Sequence, residues 1–303
     1  MTDEYLRQSL ADFRVLRMRF ILSPVGRLFL GSDEMKGDKW RGGIGEALGH
    51  LTCCKGWGQS DCKSCEMREE CFYFEYFESG RPHPYVIHPA LDSKGVYDRG
   101  EEVRTDIVLI GEARSHLYKF IRAMEELGLR GIGKDRGRFY VRDMTTEDIA
   151  FSDLPDAYDI TSVMIELLTP LKMKEEEKGI YYRGLSFPIF FKLLLKRLIN
   201  LNRLYGSGMG FEKEKLEQGK RNLLAHADTI QMEPHTEWAD FRRFSSRQQR
   251  LMKMGGQRGI FVLSGEIKPF SPYLKFGEII GAGQHTTSGF GRYTIKNVSP
   301  HEK

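Results

Sequence analysis

The chain has 303 residues, a formal net charge of +4, 40% hydrophobic residues and 29% charged residues. That length accommodates two domains, each with its own core, and the composition excludes a disordered or fibrous chain. No apolar run approaches the ~20 residues of a membrane span. Met1-Thr2-Asp3-Glu4 lacks the basic flank and apolar core of a secretory signal, so the chain reads as cytoplasmic, with no membrane partner.

Phe13 to Leu22 alternates and reads as a first strand. Gly37 to Leu51 follows as loop and helix, with Trp40, Ile44, Ala47, Leu48 and Leu51 spaced for one face. Residues 52–71 form a cysteine-bearing loop, Phe72 to Glu78 reads as extended, and the Pro82/Pro84/Pro89 stretch as irregular. Glu102 to Glu112 is a strand, Ser115 caps a helix ended by Gly128, and Gly137 to Asp143 is the next strand. Strand, helix, strand, strand, helix, strand is a ferredoxin-like order. Pro155-Asp156 marks a boundary between domains 1–155 and 156–303.

The second half repeats this theme more loosely. Asp159 to Leu168 is a strand, and Ser186 caps a long helix carrying Phe187, Phe190, Leu194, Leu198 and Leu201. Lys213 to Ala225 is a shorter helix, and strands near Glu237–Phe244 and Gly259–Lys268 precede a glycine-rich loop at 281–291. The fold class is therefore α+β: two tandem ferredoxin-like (RRM-like) domains with a C-terminal glycine-rich loop.

All five cysteines lie between Cys53 and Cys71. A cytoplasmic chain with none elsewhere is not building a disulfide framework. Cys54, Cys62, Cys65 and Cys71 offer four thiolates with one Cys-x-x-Cys core, the donor set of a structural zinc site. An iron–sulfur cluster and unliganded thiols are the other readings. Cys53 is spare unless it replaces Cys54, and four protein ligands would leave no open position for catalysis.

The loop from Gly281 to Gly291 pairs Gly281-x-Gly283 with Gly289-x-Gly291 around His285, Thr286, Thr287 and Ser288. Such spacing lets the backbone bend and turns N–H groups toward an anion. It lacks the Gly-Lys-Ser/Thr of a nucleotide-triphosphate loop. Two basic clusters accompany it. Arg242 to Arg258 holds six basic residues and no acidic one, and Arg130 to Arg142 holds five against Asp135 alone. Both match the footprint of a phosphate backbone. Phe139, Tyr140 and Phe244 interleave with them as base-stacking candidates, each also suited to core packing.

The loop resembles the C-terminal glycine-rich signature of the CRISPR-associated RAMP superfamily. More narrowly, the chain is similar to the endoribonucleases that process CRISPR repeat RNA. The run Trp238-Ala239-Asp240-Phe241-Arg242-Arg243-Phe244-Ser245-Ser246-Arg247-Gln248, the segment Gly255-Gly256-Gln257-Arg258-Gly259, and Pro272-x-Leu274 follow in the family's order. Arg41-Gly42-Gly43-Ile44-Gly45-Glu46-Ala47-Leu48, the cysteine group and Gly128-Leu129-Arg130-Gly131-Ile132-Gly133 match in the first half.

This resemblance, covering roughly residues 13–296, implies tandem ferredoxin-like domains and metal-independent cleavage of precursor CRISPR RNA. Attack by the 2′-hydroxyl would leave a 2′,3′-cyclic phosphate and a 5′-hydroxyl, and no cofactor would be needed for catalysis. It places a catalytic histidine at His50, with His285 in the loop as the second candidate. The RNA contacts would come from Lys39, Arg41, Arg130, Lys134, Arg136, Arg138, Arg243, Arg247, Arg250, Arg258 and Arg292, and from Gly281, Gly283, Gln284, Thr286, Gly289 and Gly291 of the loop. Lys55 is a further cation near His50, and Tyr293 and Tyr5 are weaker proton-donor candidates. Partners would be CRISPR repeat RNA and other CRISPR effector or adaptation proteins. The rival readings are a non-cleaving RNA-binding RAMP subunit and a zinc-stabilised adaptor for protein.

Overall fold

The computed structural model describes residues 4–58, 61–133, 135–155, 161–175, 179–206, 212–245 and 250–297. In chain order the elements are α1 (Glu4–Leu10), β1 (Arg14–Pro24), β2 (Leu28–Phe29), α2 (Asp33–Thr52), β3 (Tyr85–Pro89), β4 (Val96–Tyr97), β5 (Val103–Ile110), α3 (Leu117–Arg130) and β6 (Phe139–Ala150). They continue with β7 (Ser162–Leu171), β8 (Met173–Glu175), β9 (Ile180–Tyr182), α4 (Phe187–Tyr205), α5 (Lys213–Ala227), β10 (Gln231–Ser245), β11 (Arg250–Ser264), α6 (Ser271–Ile280) and β12 (Tyr293–Asn297). Two compact units result. The first is residues 15–148 with Thr287–Gly289; the second is residues 1–14, 149–286 and 290–303.

The first unit holds a four-stranded sheet in the order β3-β5-β1-β6. β1 runs antiparallel to β5, from Val15 opposite Ile110 to Leu22 opposite Val103, and β3 runs antiparallel to β5 on its other side. Met18, Phe20 and Leu22 of β1 face the core, while Arg17 and Arg19 on the opposite face pair with Glu147. The core is completed by Trp40, Ile44 and Leu48 of α2 and by Phe120, Met124 and Leu127 of α3.

α2 is helical over twenty residues despite five glycines, each costing about 1 kcal/mol against alanine. Close packing offsets this. A Cβ on Gly43 would lie 2.7 Å from a Leu127 methyl, and one on Gly49 would collide with the Trp57 ring.

Three local expectations differ. Phe74–Glu78 is a π-helical turn, not an extended segment, because Phe72 stacks on Tyr76 and Tyr73 on Phe77, four residues apart. The proline-bearing stretch contains β3, whose Pro89 closes an edge strand where a missing donor is tolerated. The helix after β5 starts at Leu117 and runs to Arg130, ended by Gly131 at φ 83°. Ser115 lies in the preceding 3₁₀ turn, its hydroxyl donating to the Glu112 carbonyl.

The second unit repeats the strand order as β10-β11-β7-β12, all neighbours antiparallel. Phe190 of α4 meets Phe261 and Tyr293 edge-on, and Phe187, Leu194, Leu198 and Leu201 bury the same helix face. Residues 1–14 belong here: Phe13 packs on Phe276, and Asn202 donates a 2.9 Å hydrogen bond to the Ser9 carbonyl. β10 and β11 form a hairpin of fifteen residues per strand. Only Gln257 to Ser264 of β11 also pairs with β7, so the distal half is a two-stranded ribbon. Among the described residues no helix is long and apolar enough to cross a membrane.

Candidate functional site

The glycine-rich loop leaves α6 through Gly281 (φ 70°) and passes through Gly283 (φ 73°), His285 (φ 61°), Gly289 (φ 81°) and Gly291 (φ 68°). These left-handed values suit glycine, whereas His285 is held there against its side chain's preference. The loop is stitched to the end of β7: Gln284 N–H donates to the Lys172 carbonyl at 2.9 Å and Gly291 N–H to the Pro170 carbonyl at 3.0 Å. Ala282 N–H closes the loop on the Gly291 carbonyl at 2.9 Å. The expectation that the glycines free the loop's N–H groups for an anion is thus only partly met. Those of Gly281, Ala282, Gln284, Phe290 and Gly291 already bond to carbonyls.

Arg197 of α4 fastens the loop from beneath. Its Nε donates to the Gly281 carbonyl at 3.2 Å, and its Nη2 donates to the Ile280 carbonyl at 3.1 Å and to Thr286 Oγ1 at 2.9 Å. Burial pushes its pKa down to about 10, so it stays a cation at neutral pH. Sequence reasoning missed Arg197. Its signal was present, since residues 190, 194, 197 and 201 share a helix face that is otherwise apolar.

Lys172 and Lys174, also missed, lie at the loop's anchor with ammonium groups 4.9 and 5.4 Å from the exposed Tyr181 ring. Burial, then the Lys174 charge, lowers the Lys172 pKa, with Asp240 opposing. Tyr293 is no proton donor to solvent. It is buried, its hydroxyl donates to the Leu274 carbonyl at 2.7 Å, and burial holds its phenol well above the usual range. The Tyr5 hydroxyl accepts from Glu212 N–H. Arg258 is half-buried on β11, and Arg292 is half-buried with its N–H donating to Thr169 Oγ1. Arg243 and Arg250 are described in backbone only, opposite Met252 and Ser245 in the ribbon, and Arg247 lies outside the described residues.

In the first unit His50 is exposed in the last turn of α2, its ring 6.2 Å from Trp57. The cations expected around it are largely engaged. Lys39 donates to the Phe29 carbonyl at 3.1 Å, and burial lowers its pKa with Asp135 opposing. Arg41 lies over the Phe77 ring, Arg130 pairs with Glu126 and Arg136 with Glu46. The basic run at 130–142 is thus partly neutralised, by Glu126 one helical turn before Arg130 and by the sequence-distant Glu46. Arg138 just before β6 and Tyr140 on it are exposed, Phe139 is in the core, and Lys134 lies outside the described residues. Lys36, unremarked in the sequence, is fully buried and pairs with Asp33 and Asp92.

All five cysteines line one cavity just beyond α2. Burial pushes the Cys62 thiol's pKa up, with smaller contributions from Glu78, Cys71 and Cys53. Thiols are the donor chemistry of a structural zinc site. Among the described residues, however, no three donors stand close enough together to hold an ion.

The family described as CRISPR-associated endoribonuclease Cas6 matches residues 165–293, and one described only as an N-terminal domain matches residues 13–159. No curated protein matches the sequence. Among solved structures, a Cas6 product complex aligns with TM-score 0.60 and 12% identity over 94% of this chain and 100% of that one. A Thermus thermophilus Cas6 aligns with TM-score 0.57 and 11% identity over 94% and 99%. A partial Cas6-RT-Cas1–Cas2 complex aligns with TM-score 0.56 and 13% identity over 97% of this chain, which spans 48% of that one. At these identities the likeness shows the fold. Residues 165–293, from β7 to β12, thus match the Cas6 endoribonuclease family, and the chain as a whole is similar in fold to Cas6 proteins.

Proposed function

We propose that the protein binds CRISPR repeat RNA and cuts it without a metal ion, through 2′-hydroxyl attack that leaves a 2′,3′-cyclic phosphate and a 5′-hydroxyl. The observation that carries this reading is that the Cas6 match spans both the ribbon and the glycine-rich loop. Within that span His285 is the described non-glycine residue with positive φ. Backbone strain of this kind persists where surrounding structure enforces it, and it clusters at functional sites.

The shared strand order of the two sheets supports reading them as tandem ferredoxin-like domains. His50, exposed at a helix end, is the general base; His285 and the loop hold phosphate. The ribbon, carrying Arg242, Arg243, Arg250 and Lys253 along its sequence, grips the RNA backbone. The resemblance to a Cas6-RT-Cas1–Cas2 assembly supports CRISPR adaptation proteins as further partners.

Single-turnover cleavage and RNA affinity of two variants test the roles. His50→Ala is expected to slow cleavage by ~10²-fold or more with little change in affinity. His285→Ala is expected to weaken binding while the rate at saturating protein persists. Loss of the chemical step in His285→Ala alone would reverse the roles. An unchanged rate in both variants, with binding intact, would favour a non-cleaving RNA-binding subunit.

A further inference from the structure

The segment between Thr52 and Phe72 contains every cysteine of the chain and, where described, no helix or strand. Few side chains hold it down. Trp57 meets the Tyr73 ring edge-on at 4.3 Å, and Trp57, Cys62, Cys71 and Phe72 pack against the core; most described positions from 61 to 70 are exposed. About twenty residues without secondary structure lose much conformational entropy on ordering, and these contacts return little of it. A cross-link between the ends of such a loop would supply what is missing.

The thiols are distributed to make one. All five line the same cavity, and four of them, Cys53, Cys62, Cys65 and Cys71, are half-buried, whereas Cys54 is exposed. Cys53 is the C-cap of α2, its N–H bonded to the Gly49 carbonyl at 3.0 Å, so one thiol rides on a fixed helix end. Lys55 and Arg68 line the same cavity and would offset the negative charge of four thiolates around a divalent ion. The sulfurs are not at ligating distance. A rotamer change at χ1 moves a cysteine sulfur by about 3 Å, and the exposed loop leaves room for that adjustment.

We propose that Cys53, Cys62, Cys65 and Cys71 bind one zinc ion that clamps the loop to the C-terminal turn of α2, the turn that carries His50. The set takes the alternative that the sequence left open, in which Cys53 replaces Cys54. Zinc is the metal committed to because it is satisfied by four thiolates in a tetrahedron and has no redox chemistry for an exposed loop to protect. The assignment concerns the first unit alone and stands or falls independently of RNA cleavage.

The test measures metal content in full-length protein expressed with added zinc and purified without chelator. Wild type and Cys54→Ser are expected to carry about one zinc per chain, while Cys53→Ser and Cys62→Ser retain about a tenth of that after dialysis against a weak chelator. Cobalt(II) in place of zinc should give the visible bands of a tetrahedral thiolate site in wild type and Cys54→Ser. Removing zinc should expose positions 55–70 to protease. Wild-type protein without zinc, stoichiometric iron with sulfide, or disulfides among these cysteines would overturn the proposal. Zinc lost in Cys54→Ser but kept in Cys53→Ser would overturn the choice of ligands.

Discussion

Replacing Arg197 tests how the glycine-rich loop is held. Arg197→Met keeps most of the apolar stem in α4 but removes the donors to the Ile280 and Gly281 carbonyls and to Thr286 Oγ1. A hydrogen bond from a charged group contributes about 1.5–3 kcal/mol, and a carbonyl left buried and unpaired costs about 1–3 kcal/mol. Against this, the variant no longer desolvates a guanidinium, the cause that pulls the Arg197 pKa down to about 10. The net expectation is a loss of about 2–4 kcal/mol, which for a unit of this size lowers the melting temperature by about 5–12 °C. RNA affinity should fall as well, because the loop loses its fixed turn between Gly281 and Thr286. Arg197→Lys restores the charge without the forked geometry and should fall between the two. Thermal melts and RNA titrations of the three proteins provide the readings. An Arg197→Met protein that melts within about a degree of wild type and binds RNA equally would refute the anchoring role.

Gly49→Ala drives a Cβ into the Trp57 ring, so it should destabilise the first unit by about 1–3 kcal/mol and increase protease cutting at 55–70. The Asp92 carboxyl is raised by burial but lowered further by its bonds to Lys36 and Tyr97, and the net shift is downward. A depressed carboxyl stabilises above its unfolded pKa of about 3.9 and loses that contribution as pH falls through the folded value. Acid unfolding should therefore show a loss below about pH 4 that Asp92→Asn lacks, with an effect of about 1 kcal/mol because Asp92 is partly exposed. Arg138→Ala should weaken RNA binding and reduce the salt slope by about one, whereas Arg130→Ala should do less because Arg130 already pairs with Glu126.

The strands β1, β5 and β7 could be read from the sequence because their residues alternate between the two faces. The aromatic run at 72–77 misled. Its residues have high strand propensity, yet the stacked pairs four apart are a helical signal. β3 was hidden by prolines that only an edge strand tolerates, and an edge is a property of the sheet rather than of the segment. The placement of residues 1–14 with the second unit depends on contacts such as Phe13 with Phe276, which no local pattern encodes. The glycine spacing of the candidate site was legible in sequence. Its anchoring by Arg197, and the quenching of Arg136 by Glu46, required the folded chain, whereas the Arg130–Glu126 pair is a local i,i+4 spacing.

The central claim is metal-independent cleavage of repeat RNA, and mapping the ends of labelled repeat RNA after incubation in excess EDTA tests it most directly. One cut is expected, leaving a 2′,3′-cyclic phosphate and a 5′-hydroxyl, and a single 2′-deoxy substitution at that position should abolish it. RNA left intact in EDTA but cut on addition of magnesium, or cut despite the 2′-deoxy substitution, would contradict the account.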